Sequence, residues 1–171
     1  AKWQYNNYLS LRGILAFDAD GDGDMDVLFL NGITCTGDGC NQYDDVKVNW
    51  LLKNNGTGWF DRDESWPDTL RSSRAAVAGD FNGDGSMDVF IVNYLEPNEL
   101  VLNDGDGEAW TISTTAGDAI ALTGDSRGVV AGDFDGDGDL DLYVINLDQK
   151  NELLFNDGTG EFTAADEDCL L

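Results

Sequence analysis

Asp18-Ala-Asp-Gly-Asp-Gly-Asp-Met-Asp26 is one of three nine-residue stretches built on one plan. The others are Asp80-Phe-Asn-Gly-Asp-Gly-Ser-Met-Asp88 and Asp133-Phe-Asp-Gly-Asp-Gly-Asp-Leu-Asp141. Oxygen-bearing side chains stand at positions 1, 3, 5 and 9, with glycine at position 6. A hard cation asks for this layout: calcium takes six to eight oxygens at about 2.3–2.6 Å, and a glycine lets the chain bend round it. Asp and Gly also build ordinary turns. A plain turn, however, has no reason to crowd three or four carboxylates. At an effective dielectric near 20, each close pair repels by about 4 kcal/mol. Three copies in one register therefore point to three calcium loops.

An EF-hand is excluded. It needs an acidic residue at loop position 12 and flanking helices, and position 12 is Phe29, Ile91 and Val144. The residues after each loop, Val27-Leu-Phe-Leu30, Val89-Phe-Ile-Val92 and Leu142-Tyr-Val-Ile145, are short apolar runs that read as strands. Ahead of the loops, Ile14-Leu-Ala16, Ala76-Val-Ala78 and Val129-Val-Ala131 read as first strands. Third strands begin at Asn49, Asn98 and Asn151. Turns at Asn54-Asn-Gly-Thr-Gly58, Asn103-Asp-Gly-Asp-Gly107 and Asn156-Asp-Gly-Thr-Gly160 follow, with the Asn-Gly and Asp-Gly steps of tight hairpins. Fourth strands carry Trp59-Phe60, Trp110 and Phe162. The copies lie 62 and 53 residues apart. A four-stranded unit at such spacing is a β-propeller blade, and second strands apolar on both faces suit blades stacked between others.

Ser126-Arg-Gly-Val-Val-Ala-Gly-Asp133 running into the third loop, with Asn151-Glu-Leu-Leu-Phe-Asn-Asp-Gly-Thr-Gly-Glu-Phe162 behind it, resembles the FG-GAP/VCBS-type repeat. This is the calcium-loop blade of integrin-α-like propellers. The resemblance implies calcium on Asp18, Asp20, Asp22 and Asp26; on Asp80, Asn82, Asp84 and Asp88; and on Asp133, Asp135, Asp137 and Asp141. It further implies that Asp24, Ser86 and Asp139, at position 7, ligate through their backbone carbonyls. The expected fold is all-β: one repeat domain over 1–171, with blades at about 10–66, 72–115 and 125–166. Three such blades form an open arc and cannot close a ring. Further repeats or other chains, as a multimer or fibril, are expected on the open faces.

The chain has 171 residues, a net charge of −25 and no histidine. That surface disfavours nucleic acid and anionic membranes as partners. Three Ca²⁺ would cancel six of those charges. No apolar run is long enough to span a bilayer. The start, Ala1-Lys-Trp-Gln-Tyr5, is not shaped like a signal peptide and lacks an initiator Met, so a mature or internal piece is expected. Cys35 and Cys40 are close enough in sequence for a local disulfide, and Cys169 is left over. Asn55-Gly-Thr57 is a glycosylation sequon. Calcium, a disulfide and a glycan together suit an extracellular or cell-surface protein.

Other features read less specifically. An insertion, Ile33–Asp45, is either a contact loop or a surface loop stapled by its cysteines. Thr114–Asp125 reads as a connector. Trp59 and Trp110 are expected to pack between blades, while Trp3, Trp50 and Trp66 have no assigned place. An arginine stands six residues before each loop, at Arg12, Arg74 and Arg127, and is expected to partner the loop carboxylates. Without histidine no Ser-His-Asp or Cys-His arrangement is possible. Glu64, Glu96, Glu108, Glu161 and Glu167 are glycosidase carboxylates by type only, and nothing singles out a pair. The chain is thus read as a non-enzymatic calcium-binding structural or adhesion module. A lectin-like propeller with glycan partners is the alternative, and a polysaccharide hydrolase is a more remote one.

Overall fold

The computed structural model describes residues 11–32, 48–121 and 123–166. The Cys35–Cys40 insertion, Trp3, Glu167 and Cys169 lie outside them. All regular structure among the described residues is strand: β1 (Leu11–Phe17), β2 (Asp26–Asn31), β3 (Trp50–Asn54), β4 (Phe60–Arg62), β5 (Ser73–Gly79), β6 (Asp88–Glu96), β7 (Glu99–Asn103), β8 (Trp110–Ile112), β9 (Gly124–Gly132), β10 (Asp141–Asn146), β11 (Glu152–Asn156) and β12 (Phe162–Ala164). Each first and second strand are joined by one acidic loop, and every pairing is antiparallel.

Strands β1 to β4 form a four-stranded meander. Beyond it, the fold departs from the expectation of separate sheets. Strand β6 runs nine residues, against six for β2 and β10. Its extra end pairs with β9, Tyr94 against Asp125 and Glu96 against Gly124. The eight strands β5 to β12 therefore join into one continuous, open, curled sheet. Leu95 takes a φ of 55° where the register shifts in this junction.

Among the described residues two apolar cores hold the arc together, and the period of two along β6 explains both. Val89 and Ile91 point one way, into a core with Phe17, Leu28, Leu30, Leu51 and Trp110. Phe90 and Val92 point the other way, into a core with Phe81, Leu142, Val144, Leu154 and Phe162. A strand buried on both faces must be apolar at every position, and β6 is so from Val89 to Val92. Fully burying each such side chain contributes about 1.5–3 kcal/mol.

Trp110 sits in the first core at 6% exposure and stacks edge-on against Phe17, with ring centroids 6.3 Å apart. Trp59 is not the equivalent residue: it is 57% exposed. The register pairs Asn54 with Phe60, Asn103 with Trp110 and Asn156 with Phe162. The repeat position of Trp110 and Phe162 thus belongs to half-buried Phe60, and alternation turns Trp59 to the other side of the strand. Trp66 joins the first core, 5.0 Å from Trp110. Arg62 lies 5.2 Å over the Trp50 ring. The stretch read as a connector also packs: Ala116 and Ile120 are buried in the second core, and the Ala116 carbonyl accepts from the Phe162 amide at 3.0 Å.

Candidate metal centre

Each acidic loop is shaped by its own side chains. The position-1 carboxylate folds the chain back on itself: Asp18 accepts from the amides of Gly21 (2.8 Å) and Gly23 (3.0 Å). Asp80 does the same with Asp84 and Gly85, and Asp133 with Gly136 and Gly138. The position-6 glycine has φ of 91° at Gly23, 92° at Gly85 and 101° at Gly138, a conformation open to residues without Cβ. Position 5 caps the next step, with the Asp24, Ser86 and Asp139 amides donating to Asp22 (2.8 Å), Asp84 (2.8 Å) and Asp137 (2.9 Å).

Position 9 has a double role that spacing alone does not reveal. Asp26, Asp88 and Asp141 are fully buried at the start of β2, β6 and β10. One oxygen of each accepts from the position-2 amide: Ala19 (2.8 Å), Phe81 (3.1 Å) and Phe134 (2.8 Å). The other accepts from the amide ending the third strand: Asn54 (2.7 Å), Asn103 (2.9 Å) and Asn156 (2.9 Å). The aspartate closes the loop and pins it to its own sheet. The turn asparagine then reaches across to the neighbouring strand group. Asn103 Nδ2 donates to the Ala19 carbonyl and Asn156 Nδ2 to the Phe81 carbonyl, each at 2.8 Å. The carbonyl oxygens of two loops are thereby held by the units that follow them.

The folded loops gather acidic oxygens in two places. Ligand atoms of Asp18, Asp20 and Asp26 lie within 4.8 Å of one another, as do those of Asp133, Asp135 and Asp141. Asp20 Oδ1 is buried with no hydrogen-bond partner, as expected of an oxygen reserved for a cation. These are two candidate clusters for a divalent ion. In the loop 80–88 no such acidic trio forms among the described residues, because Asn82 occupies position 3. Its Nδ2 donates to Asp84 Oδ2 at 2.9 Å and its Oδ1 accepts from the Asp84 amide at 3.0 Å. Lys53 was not foreseen at the site. Its ammonium lies 3.8 Å from Asp20, 3.6 Å from Asp63 and 3.8 Å from Glu108, and it donates to the Gly107 carbonyl.

Burial lifts the Asp26 and Asp88 carboxyls against their two amide donors. Asp88 is pushed up to about 6 from an ordinary 3.8, by burial first and then by Asp84 and Asp80. Asp26 shifts the same way, again mainly through burial. A carboxyl whose folded pKa is raised adds stability fully present below its unfolded pKa and lost as pH rises through the folded one. In EDTA, therefore, the melting temperature followed by circular dichroism is expected to fall between pH 4 and 7. With calcium present the trend is expected to reverse, since protons then compete with the ion.

Arg74 and Arg127 do not partner the loops as expected: Arg74 lies over the Tyr94 ring, and Arg127 pairs with Asp125. Asn55 is exposed at the tip of its turn, with Oδ1 accepting from Thr57.

The close approach of units makes a further prediction. A Cβ on Gly107 would stand 2.8 Å from the Ala19 carbonyl, whereas one on Gly58, at the equivalent turn position, meets nothing within 4 Å. Both have positive φ, 68° and 81°. Gly107→Ala is expected to destabilise by about 1–3 kcal/mol more than Gly58→Ala, the usual range for overpacking. Urea unfolding in calcium reads the difference.

Comparison with known proteins matches this layout. Cartilage acidic protein 1 of Xenopus tropicalis is 28% identical over 102 residues, which is 58% of this chain and 16% of that protein. The chain therefore spans about one sixth of the relative's length. The FG-GAP-like repeat profile matches three overlapping segments, 18–91, 80–144 and 133–170, the second and third beginning on the first aspartate of a loop, as the first does. Such repeats are non-catalytic structural or adhesion modules. With three successive matches spanning most of its length, the chain belongs to the FG-GAP-like repeat family.

Proposed function

We propose that this chain is a calcium-stabilised extracellular module of structural or adhesive function. It forms one repeat domain of three propeller-type blades, at about 10–66, 72–115 and 125–166. One Ca²⁺ is held by Asp18, Asp20, Asp22 and Asp26, a second by Asp80, Asn82, Asp84 and Asp88, and a third by Asp133, Asp135, Asp137 and Asp141. The backbone carbonyls of Asp24, Ser86 and Asp139 complete the three shells. The observation that carries this reading is the pair of acidic trios already gathered by the fold, one with a buried, unpartnered oxygen. In the second loop the Asn82 carbonyl replaces a carboxylate; oxygen ligation by amide carbonyls is ordinary for calcium.

The calcium contributes charge neutralisation, while the residues supply the turn geometry. A relative named for cartilage and the exposed Asn55 sequon support the extracellular placement. The ends of the arc support assembly. In the central unit Val89, Phe90, Ile91 and Val92 are fully buried between neighbours. Their counterparts Val27 and Phe29 at one end, and Tyr143 and Ile145 at the other, are part-exposed or exposed. Further blades or a second chain on these faces would bury them.

Calorimetric titration of the decalcified chain tests the reading. Three ions per chain are expected; two would remove the Asn82 site, and none would overturn the proposal. Light scattering then asks whether the chain self-associates in calcium.

A further inference from the structure

Every first strand contains one β-bulge, and each time the unpaired residue is the repeated arginine. Leu11 faces Asn31 and Gly13 faces Leu30, which leaves Arg12 over. Ser73 faces Asn93 and Ala75 faces Val92, which leaves Arg74. Ser126 faces Asn146 and Gly128 faces Ile145, which leaves Arg127. A bulge re-aims its side chain relative to the sheet. Since β5 lies against both β1 and β9, three side chains re-aimed at one repeat position are brought together.

Arg74 occupies the middle. Its guanidinium carbon lies 4.5 Å from the Tyr94 ring centroid, and that of Arg127 lies 6.0 Å from the same ring. On the other side the strands touch closely: a Cβ on Gly13 would stand 2.9 Å from the Arg74 carbonyl, and one on Gly32 would meet the stem of Arg12 and the Ser73 carbonyl. Burial, then the charges of Arg12 and Arg127, lower the pKa of Arg74, with Asp125 and Tyr94 acting against them. The whole chain has only nine basic residues against 34 acidic ones, yet three arginines converge here on Arg74, where Asp125, paired with Arg127, is the carboxylate bearing on it among the described residues. The Nε of Arg74 is buried and has no hydrogen-bond partner.

We propose that Arg12, Arg74 and Arg127 form a binding site for a compact oxyanion, a carboxylate or sulfate group. The planar guanidinium fork matches paired oxygens, and a bound group that draws the Arg74 guanidinium outward would give its unpartnered Nε–H an acceptor. Compactness follows from the surroundings. A net charge of −25 repels an extended polyanion along its length, but a small group seated among three arginines lies within about one Debye length (~8 Å) of their charge. Arg12 precedes Asp18 by six residues of strand, or about 20 Å at 3.3 Å per residue. The site is therefore separate from the loops and does not depend on the calcium reading.

The test titrates the full chain, saturated with calcium, with sodium sulfate and separately with glutarate, two anions that chelate calcium weakly. Arginine Nε–Hε resonances and calorimetry are followed. Saturable binding with its largest shift at Arg74 is expected, with one of the two anions preferred. Arg74→Gln is expected to weaken it about tenfold or more, and Arg74→Lys by nearly as much, because lysine keeps the charge but loses the fork. Arg127→Gln, at a more exposed position, serves equally if Arg74→Gln fails to fold; calcium-dependent melting checks each variant. Linear shifts shared with Arg62, or unchanged affinity in the folded variants, overturn the site. Tighter arginine-dependent binding of a heparin-type oligosaccharide than of sulfate overturns the compact-ligand assignment.

Discussion

Chelation with EDTA is expected to bring the calcium-loaded chain to the edge of unfolding at 25 °C. An ion that binds only the folded state stabilises it by RT ln(1 + [Ca]/Kd), about 2.7 kcal/mol per site at a hundredfold excess over Kd. Three such sites supply about 8 kcal/mol, against a total of about 5–15 kcal/mol for an ordinary domain. Removing the ions also restores repulsion among loop carboxylates that the fold holds within 4.8 Å. Melting curves at matched pH and ionic strength, with EDTA and with excess calcium, measure the effect. An unchanged midpoint would mean that the backbone network of the loops suffices without a cation.

The second large effect is expected from Asp88→Ala. The carboxylate accepts from the Phe81 and Asn103 amides, at 3.1 and 2.9 Å, inside a fully buried site. Its loss orphans both donors, at about 1–3 kcal/mol each, so about 2–6 kcal/mol together. Asp84→Ala removes a proposed calcium ligand at an exposed position and leaves those amides bonded. In calcium, Asp88→Ala is expected to cost those 2–6 kcal/mol beyond Asp84→Ala, read by urea denaturation. Equal losses would reduce position 9 to a ligand like any other. The same contrast applies to Asp26 and Asp141, which bind equivalent amides.

The sequence by itself determined what depends on neighbours along the chain. The acidic loops, their glycines at position 6, the antiparallel strands around them and the asparagine turns are all local chemistry. Each follows from which residues tolerate positive φ, which alternate, and which carry oxygens. Hence twelve strands in the described residues fall about where the repeats place them, and acidic oxygens gather in the first and third loops.

Only the tertiary structure decided how the units meet, because those contacts join residues far apart in sequence. The extension of β6 onto β9 merges two expected sheets, and nothing in β6 alone announces that pairing. Trp59 and Phe60 are both large and aromatic; the register on β3 gives Phe60, not Trp59, the position that Trp110 and Phe162 hold in the other units. Lys53 reaches Asp20 and Glu108 from a separate strand. One extra residue in each of β5 and β9 carries Arg74 and Arg127 to Tyr94 and Asp125 rather than to the loops. A bulge reverses the face that alternation assigns, and it is fixed by pairing with a partner strand rather than by the residue itself.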